Sequence, residues 1–177
     1  VTAWIAARGL RRLNIAVLLR ISSILLLILS SALLVTATDR MIGILVIAHD
    51  TLGDSLVRAV THVLGARPPQ FDSIPVRGTD DPLDLVPAAR AILAKLDTGE
   101  GVLIVTDIFG ASPSNLARKL VVPGRVEAVA GASLPMLVRA FTYRTRDMET
   151  IVTKAVSGGR DGVTRFPADP VYAATRN

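Results

Sequence analysis

The stretch Ile42-Gly-Ile-Leu-Val-Ile-Ala-His49-Asp50 is a continuous apolar run that ends in a histidine and an aspartate. A run of this length without polar alternation is typical of a strand buried on both faces of a parallel sheet. Helical spacing follows over residues 54–64, and Gly65 is placed to end that helix. This part of the chain therefore predicts a buried strand, a polar turn and a helix.

The same alternation continues to residue 166. Apolar runs predict strands over 71–76, 101–106 and 125–130, and helical spacing predicts helices over 83–96, 113–120, 134–143 and 147–157. Asp81-Pro82 is typical of a helix start, Gly158-Gly159 is predicted to end the last helix, and 162–166 is predicted to be a short final strand. The pattern predicts an α/β fold with a mainly parallel four-stranded sheet and helices on both faces.

Residues 1–40 differ in character from the rest of the chain. Ile21–Ala37 is an uncharged stretch of 17 residues with arginines before it, which predicts an extra hydrophobic helix of about 25 Å. Three interpretations stay open: a membrane anchor reaching back to Ile15, a secretory signal, or a start assigned too early, with Met41 as the native first residue. We therefore expect three segments, a leader over 1–40, a domain over 41–166 and a tail over 167–177.

Charge and cysteine content exclude several classes of function. The formal net charge is +5, but residues 1–40 contribute +4 of it through five arginines and one aspartate, so residues 41–177 are nearly neutral. No basic run interleaved with aromatics occurs there, and we predict no nucleic-acid surface. The absence of cysteine excludes disulfides, thiolate catalysis and cysteine-based metal sites, and it fits a reducing compartment.

Polar side chains follow the first and third predicted strands. Ligand sites of open parallel sheets lie beyond the carboxyl ends of the strands, so we expect His49 and Asp107 to face each other if these strands are neighbours. A carboxylate that fixes the tautomer of an imidazole leaves its other nitrogen as a nucleophile for a phosphoryl group. The alternatives are a hydrogen-bonded loop histidine and an aspartate that only caps the next turn. His62 is interpreted as a surface or packing residue.

The segment after Asp107 is predicted to receive the phosphate. A helix that starts at Pro113 offers free backbone N–H groups to an anion, and Ser112, predicted as its cap, is placed to donate its hydroxyl. We group Ala111 and Ser114 with Ser112 as candidate phosphate-binding residues. One histidine and one aspartate do not make a metal site, so neither a metal nor a cofactor is predicted.

At these residues the sequence resembles the mannose/fructose-type enzyme IIA family of the sugar phosphotransferase system. The resemblance rests on three ordered motifs, Met41–His49, Leu96–Asn115 and Val129–Leu137. It implies that His49 accepts a phosphoryl group, that Asp107 orients it and that Ser112 contacts the phosphate. Two positions depart from the family pattern, because Asp50 and Ala111 stand where the family usually has glycine, and Ala111 is expected to carry a steric cost.

The resemblance also implies partners and a location. The phosphoryl donor would be the small carrier protein HPr and the acceptor a separate enzyme IIB, within a cytoplasmic homodimer that exchanges a C-terminal strand, here residues 162–166. Membrane association is expected only if residues 15–37 are a true anchor. Within the family the role is sugar uptake, regulation, or phosphate donation of the dihydroxyacetone kinase type. The alternative from another class is a non-catalytic binding module that kept the fold.

Overall fold

The computed structural model describes residues 19–29 and 40–166. The chain divides into two units, Val1–Asp39 and Arg40–Asn177. In the first unit, residues 19–29 form an apolar helix with exposed side chains. Across the two described ranges, no helix combines the length and the apolar content that a membrane crossing requires. The remainder of the predicted leader and the tail over 167–177 lie outside the described residues.

In the second unit, strands alternate with helices up to β4, and two helices follow it. The elements are β1 (Gly43–His49), α1 (Leu52–Leu64), β2 (Phe71–Val76), α2 (Val86–Leu96), β3 (Val102–Thr106), α3 (Ser112–Arg118), β4 (Val126–Ala130), α4 (Leu134–Tyr143) and α5 (Met148–Asp161). All three strand pairings are parallel, and the sheet order is β2-β1-β3-β4. This confirms the predicted four-stranded parallel α/β fold.

Helices cover both faces of the sheet. On one face, the core residues of β1 and β3 pack against α1, α4 and α5, with Ile44, Val46 and Leu103 fully buried. On the other face, Leu45 and Ile104 pack against α2 and α3. Because β1 is buried on both faces, the apolar run contains no polar alternation. Each such side chain contributes about 1.5–3 kcal/mol through burial.

Helix α2 begins later than predicted. Asp81 accepts a hydrogen bond from Leu83 N, but it caps a turn over residues 82–85, and the helix starts at Val86. A helix over 83–96 would place Pro87 inside, where it has no N–H to donate and clashes with the carbonyl of the preceding turn. In the structure Pro87 lies in the first helical turn, where these costs vanish.

The predicted end of the last helix at Gly158-Gly159 is wrong, because α5 continues to Asp161. These glycines permit close helix packing. A Cβ atom at Gly158 would lie 2.9 Å from Arg139 Cβ and 3.0 Å from Pro135 O, and one at Gly159 would lie 2.8 Å from Met136 Cε. Tertiary packing of α5 on α4 therefore outweighs the low helix propensity of glycine. Residues 163–166 are exposed and form no strand within the described chain, so exchange of this segment stays a prediction.

A network at the amino end of β3 fixes the turn that precedes it. One oxygen of Asp97, Oδ1, accepts from Gly99 N and Gly101 N, and Oδ2 forms an ion pair with Arg125 at 2.8 Å. Gly99 and Gly101 both have positive φ angles, 118° and 91°. Only Gly101 is crowded, since a Cβ there would lie 2.1 Å from Arg125 O.

These two glycines allow a matched test of packing. We expect Gly101→Ala to destabilise the domain by about 1–3 kcal/mol more than Gly99→Ala, because both substitutions add left-handed strain but only the first forces a backbone contact. Urea unfolding should show a lower midpoint for Gly101→Ala at an unchanged m-value. Equal midpoints for the two variants would contradict the close approach of Gly101 to the backbone of Arg125.

Candidate functional site

His49 and Asp107 lie at the carboxyl edge of the sheet, where the strand order reverses direction. The chain leaves β1 toward β2 on one side and places β3 on the other. Ile47 pairs with Thr106, so His49 ends β1 beside the residue that follows β3. This is the crevice at which open α/β sheets place their ligand sites. The predicted neighbourhood of the two side chains is therefore present in the structure.

A single carboxylate oxygen holds His49 at two points. Asp107 Oδ2 accepts a hydrogen bond from His49 N at 2.8 Å and lies 2.7 Å from His49 Nδ1. The other oxygen, Oδ1, accepts from Ile108 N at 2.8 Å, so the aspartate also stabilises the turn that follows it. The His49 side chain is 45% exposed and that of Asp107 only 11%. The ring thus faces solvent while its partner is fixed below it.

These hydrogen bonds determine the protonation of the pair. Burial alone would raise the pKa of Asp107, but the hydrogen bonds from His49 N, His49 Nδ1 and Ile108 N outweigh it, so the pKa lies below its ordinary value of 3.8. An ionised carboxylate can only accept hydrogen bonds, so Nδ1 carries the proton toward Asp107. The lone pair of the neutral ring is then on Nε2, which is the nitrogen free to attack an electrophile.

The helix after Asp107 starts one residue earlier than predicted. Helix α3 is Ser112–Arg118, its cap is Ala111, and Ser112 is the first helical residue. Because the cap residue is alanine, it has no side-chain acceptor to offer to the first-turn N–H groups. The predicted capping role of Ser112 is therefore wrong, because Ala111 takes the extended conformation, with φ −85° and ψ 177°, that ends the loop. Ser112 is partly exposed, and its contact with phosphate stays a prediction.

Ser114 is separated from solvent. Its exposure is 5%, and it lines a 190 Å³ cavity that also contacts Thr106, Phe109 and β4. The cavity lies on the side of α3 that faces β4 rather than β1. Phosphate binding by Ser114 and by Ala111 stays a prediction. His62 is exposed in the last turn of α1, as expected for a surface residue.

The two departures from the family pattern differ in cost. Asp50 has φ 45°, a left-handed conformation that aspartate tolerates better than most residues but glycine adopts without strain. Ala111 has a negative φ, and the positive φ of this loop, 85°, belongs to Gly110. The expected steric cost at Ala111 is therefore wrong.

Sequence reasoning missed an apolar rim formed by Leu52, Ile108 and Phe109. Leu52 begins α1 just after His49 and is 43% exposed. Ile108 and Phe109 follow Asp107 and are 58% and 80% exposed. The sequence does contain a signal for this rim, because the three apolar residues lie in or beside two polar turns. Residues in such turns are not expected to be buried, so burial does not explain why they are apolar. Within residues 19–29 and 40–166, no group of three or more histidine or acidic side chains is placed to hold a metal ion.

Comparisons with known proteins agree with this geometry. The family described as "PTS system fructose IIA component" matches residues 43–156. The PTS system mannose-specific EIIAB component of Escherichia coli K12 is 34% identical over 138 residues, which is 75% of this chain and 42% of that protein. The counterpart from Shigella flexneri has the same identity and coverage. The chain thus spans less than half the length of these curated relatives.

Solved structures share the fold at lower identity. The EIIA component from Streptococcus agalactiae superposes with a TM-score of 0.63 at 21% identity, covering 71% of this chain and 98% of that one. The mannose/sorbose-specific IIA subunit from Enterococcus faecalis gives a TM-score of 0.64 at 17% identity, covering 73% and 97%. At these identities the likeness concerns the architecture of the domain.

The carboxylate contact predicts one tautomer of His49. In the neutral ring of the wild type, we expect the proton on Nδ1 and an unprotonated Nε2. Asp107→Ala should increase the Nε2–H population, because the acceptor that holds the Nδ1 proton is gone. Long-range ¹H–¹⁵N correlation spectra of the ring distinguish the two forms. An unchanged tautomer ratio in Asp107→Ala would show that Asp107 does not set it, and the unrelated ring of His62 serves as the internal control.

Proposed function

The chain belongs to the fructose/mannose-type IIA components of the phosphotransferase system, and on that premise we propose that it carries phosphoryl groups on His49 Nε2. The observation that supports this most directly is the pairing of Nδ1 with Asp107 on a ring that remains 45% exposed. It leaves one nitrogen nucleophilic and accessible. Phosphoryl transfer needs little more than positioning and electrostatic stabilisation from the protein.

The proposed reaction has two steps. His49 Nε2 attacks the phosphorus of a donor phosphohistidine, the N–P bond of the donor breaks, and its electron pair returns to the donor ring. The same exchange then passes the group from Nε2 to an acceptor, which regenerates neutral His49. Throughout, the Asp107 carboxylate holds the Nδ1 proton and stabilises the positive charge that develops on the phosphorylated imidazole.

We assign HPr as the donor and an enzyme IIB as the acceptor. Both partners must bring their own reacting group to within bonding distance of Nε2, so each docks over His49. The apolar rim of Leu52, Ile108 and Phe109 supports such docking, since exposed apolar side chains around a site are typical of protein interfaces. The proposed location is the cytoplasm, where this phosphate relay operates, and the absence of cysteine is compatible with it.

We further propose a homodimer built on the edge of β4. The other edge strand, β2, carries the exposed Pro75, which has no N–H to donate to another strand. Within the described residues, β4 pairs with β3 on one side and is otherwise bridged only through Val122 at its first residue. Val163 and Phe166, 86% and 88% exposed, supply apolar side chains that a second copy would cover.

The carrier proposal predicts a specific labelling pattern. Incubation of the full chain with phosphoenolpyruvate, enzyme I and HPr should attach one acid-labile, base-stable phosphoryl group. His49→Ala should lower labelling by at least about 100-fold because the nucleophile is lost, while His62→Ala should label like the wild type. Failure of the wild type to label would contradict the carrier role and favour a binding module of the same fold.

The dimer proposal is tested by two truncations that leave α5 intact. A chain ending at Phe166 should remain dimeric, whereas a chain ending at Asp161 should be monomeric, because it lacks the segment that would pair with β4. Light scattering after size-exclusion chromatography gives both masses. Should the shorter chain stay dimeric at the same concentration, the exchanged segment is not what joins the two copies.

A further inference from the structure

Asp50 occupies a backbone conformation that favours glycine. Its φ is 45°, and Gln70 is the other residue besides glycine with positive φ among the residues that the structure describes. Asp50 N donates to Val76 O at 3.1 Å, so the residue is fixed at the end of the β1–β2 pair. Glycine would adopt this conformation without strain, yet the chain has a side chain here, directly beside a reactive residue. This combination indicates a role for the side chain of Asp50.

The carboxylate of Asp50 is exposed and uncompensated. Over residues 19–29 and 40–166 it has neither a hydrogen-bond donor nor an ion-pair partner, in contrast to Asp107, which accepts three hydrogen bonds. Its negative charge is therefore not neutralised locally and acts electrostatically on neighbouring groups. Consecutive Cα atoms are about 3.8 Å apart, which keeps the carboxylate within about 10 Å of the His49 ring. That separation is about one Debye length at 0.1 M salt.

The two states of His49 differ in charge at this point. The dephosphorylated ring is either neutral or positively charged. A nearby carboxylate has little effect on the neutral ring and stabilises the positive one. The phosphorylated ring carries a group with about two negative charges, which Asp50 repels. A fixed charge that disfavours only the phosphorylated state lowers its population and strengthens its tendency to donate.

We propose that Asp50 is a positioning residue that sets the phosphoryl-transfer potential of His49. This inference rests on the carrier function proposed above. Asp50 forms and breaks no bond; the phosphoryl group still moves from the donor ring to Nε2 and on to the acceptor. The repulsion shifts both transfer equilibria, the one with the donor and the one with the acceptor, toward the state in which His49 carries no phosphoryl group. For a separation of about 8 Å between the Asp50 carboxylate and the phosphoryl group, and a water-like dielectric constant, charges of one and two units change the equilibrium constant for phosphorylation about fivefold at low salt.

The test compares Asp50→Asn and Asp50→Gly with the wild-type full chain. Asparagine removes the charge while tolerating the left-handed backbone, and glycine removes both the charge and the strain. Each protein is mixed with phosphorylated HPr, and the phosphorylated fractions of both proteins at equilibrium are read by ³¹P NMR. Glu149→Gln is the matched control, because it removes an exposed charge in the first turn of α5. The neighbouring Met148 lies beside Gly101, at the amino end of β3 and away from His49.

We expect both Asp50 variants to raise the equilibrium constant for phosphorylation about fivefold at low salt, and the difference from wild type to shrink at 1 M salt. Glu149→Gln should match the wild type. If the equilibrium constant of Asp50→Asn equals that of the wild type, whether or not Asp50→Gly differs, the charge has no such role. The inference about Asp50 is then overturned, while the carrier function stands. If the wild type accepts no phosphate at all, the carrier function and this inference fall together.

Discussion

The site depends on one carboxylate oxygen that spans two parallel strands. Asp107 Oδ2 accepts from both the backbone and the ring of His49, so it fixes where the residue sits and which nitrogen it presents. This double contact requires β1 and β3 to be adjacent and in the register that places Ile47 opposite Thr106. A shift of the register by one residue would direct Asp107 to the other face of the sheet.

That register is determined far from the site. The strands are held from both faces by two apolar layers, and the start of β3 is fixed by the network of Asp97, Gly99 and Arg125 at the opposite edge. Burial lowers the free energy of the folded state, while the turn before β3 determines where that strand begins. Fold stability and site geometry therefore share the same constraint, the placement of β3 beside β1.

The sequence predicted the parts of this arrangement that follow from local pattern. Uninterrupted apolar runs placed β1 and β3 correctly, and the rule that sites lie beyond strand ends brought His49 and Asp107 together. The start of α2 follows from Pro87, which is visible in the sequence but is overlooked when the helix is predicted from apolar spacing alone. The cap at Ala111 and the continuity of α5 through Gly158 were not predictable in this way, because the first depends on a backbone angle and the second on the contact of α5 with α4. The apolar rim was missed because exposure is a tertiary property.

At the two positions where the family usually has glycine, the backbone angles show which residue carries a conformational cost and which does not. The resemblance to the family treats Asp50 and Ala111 alike, as residues where the family usually has glycine. The structure gives Ala111 an ordinary extended conformation, with Gly110 supplying the left-handed residue of that loop. Asp50 is itself left-handed, so a side chain persists there against a conformational cost. Since its carboxylate forms no hydrogen bond or ion pair with the residues that the structure describes, the effect that remains is its charge, which we propose acts on the neighbouring ring.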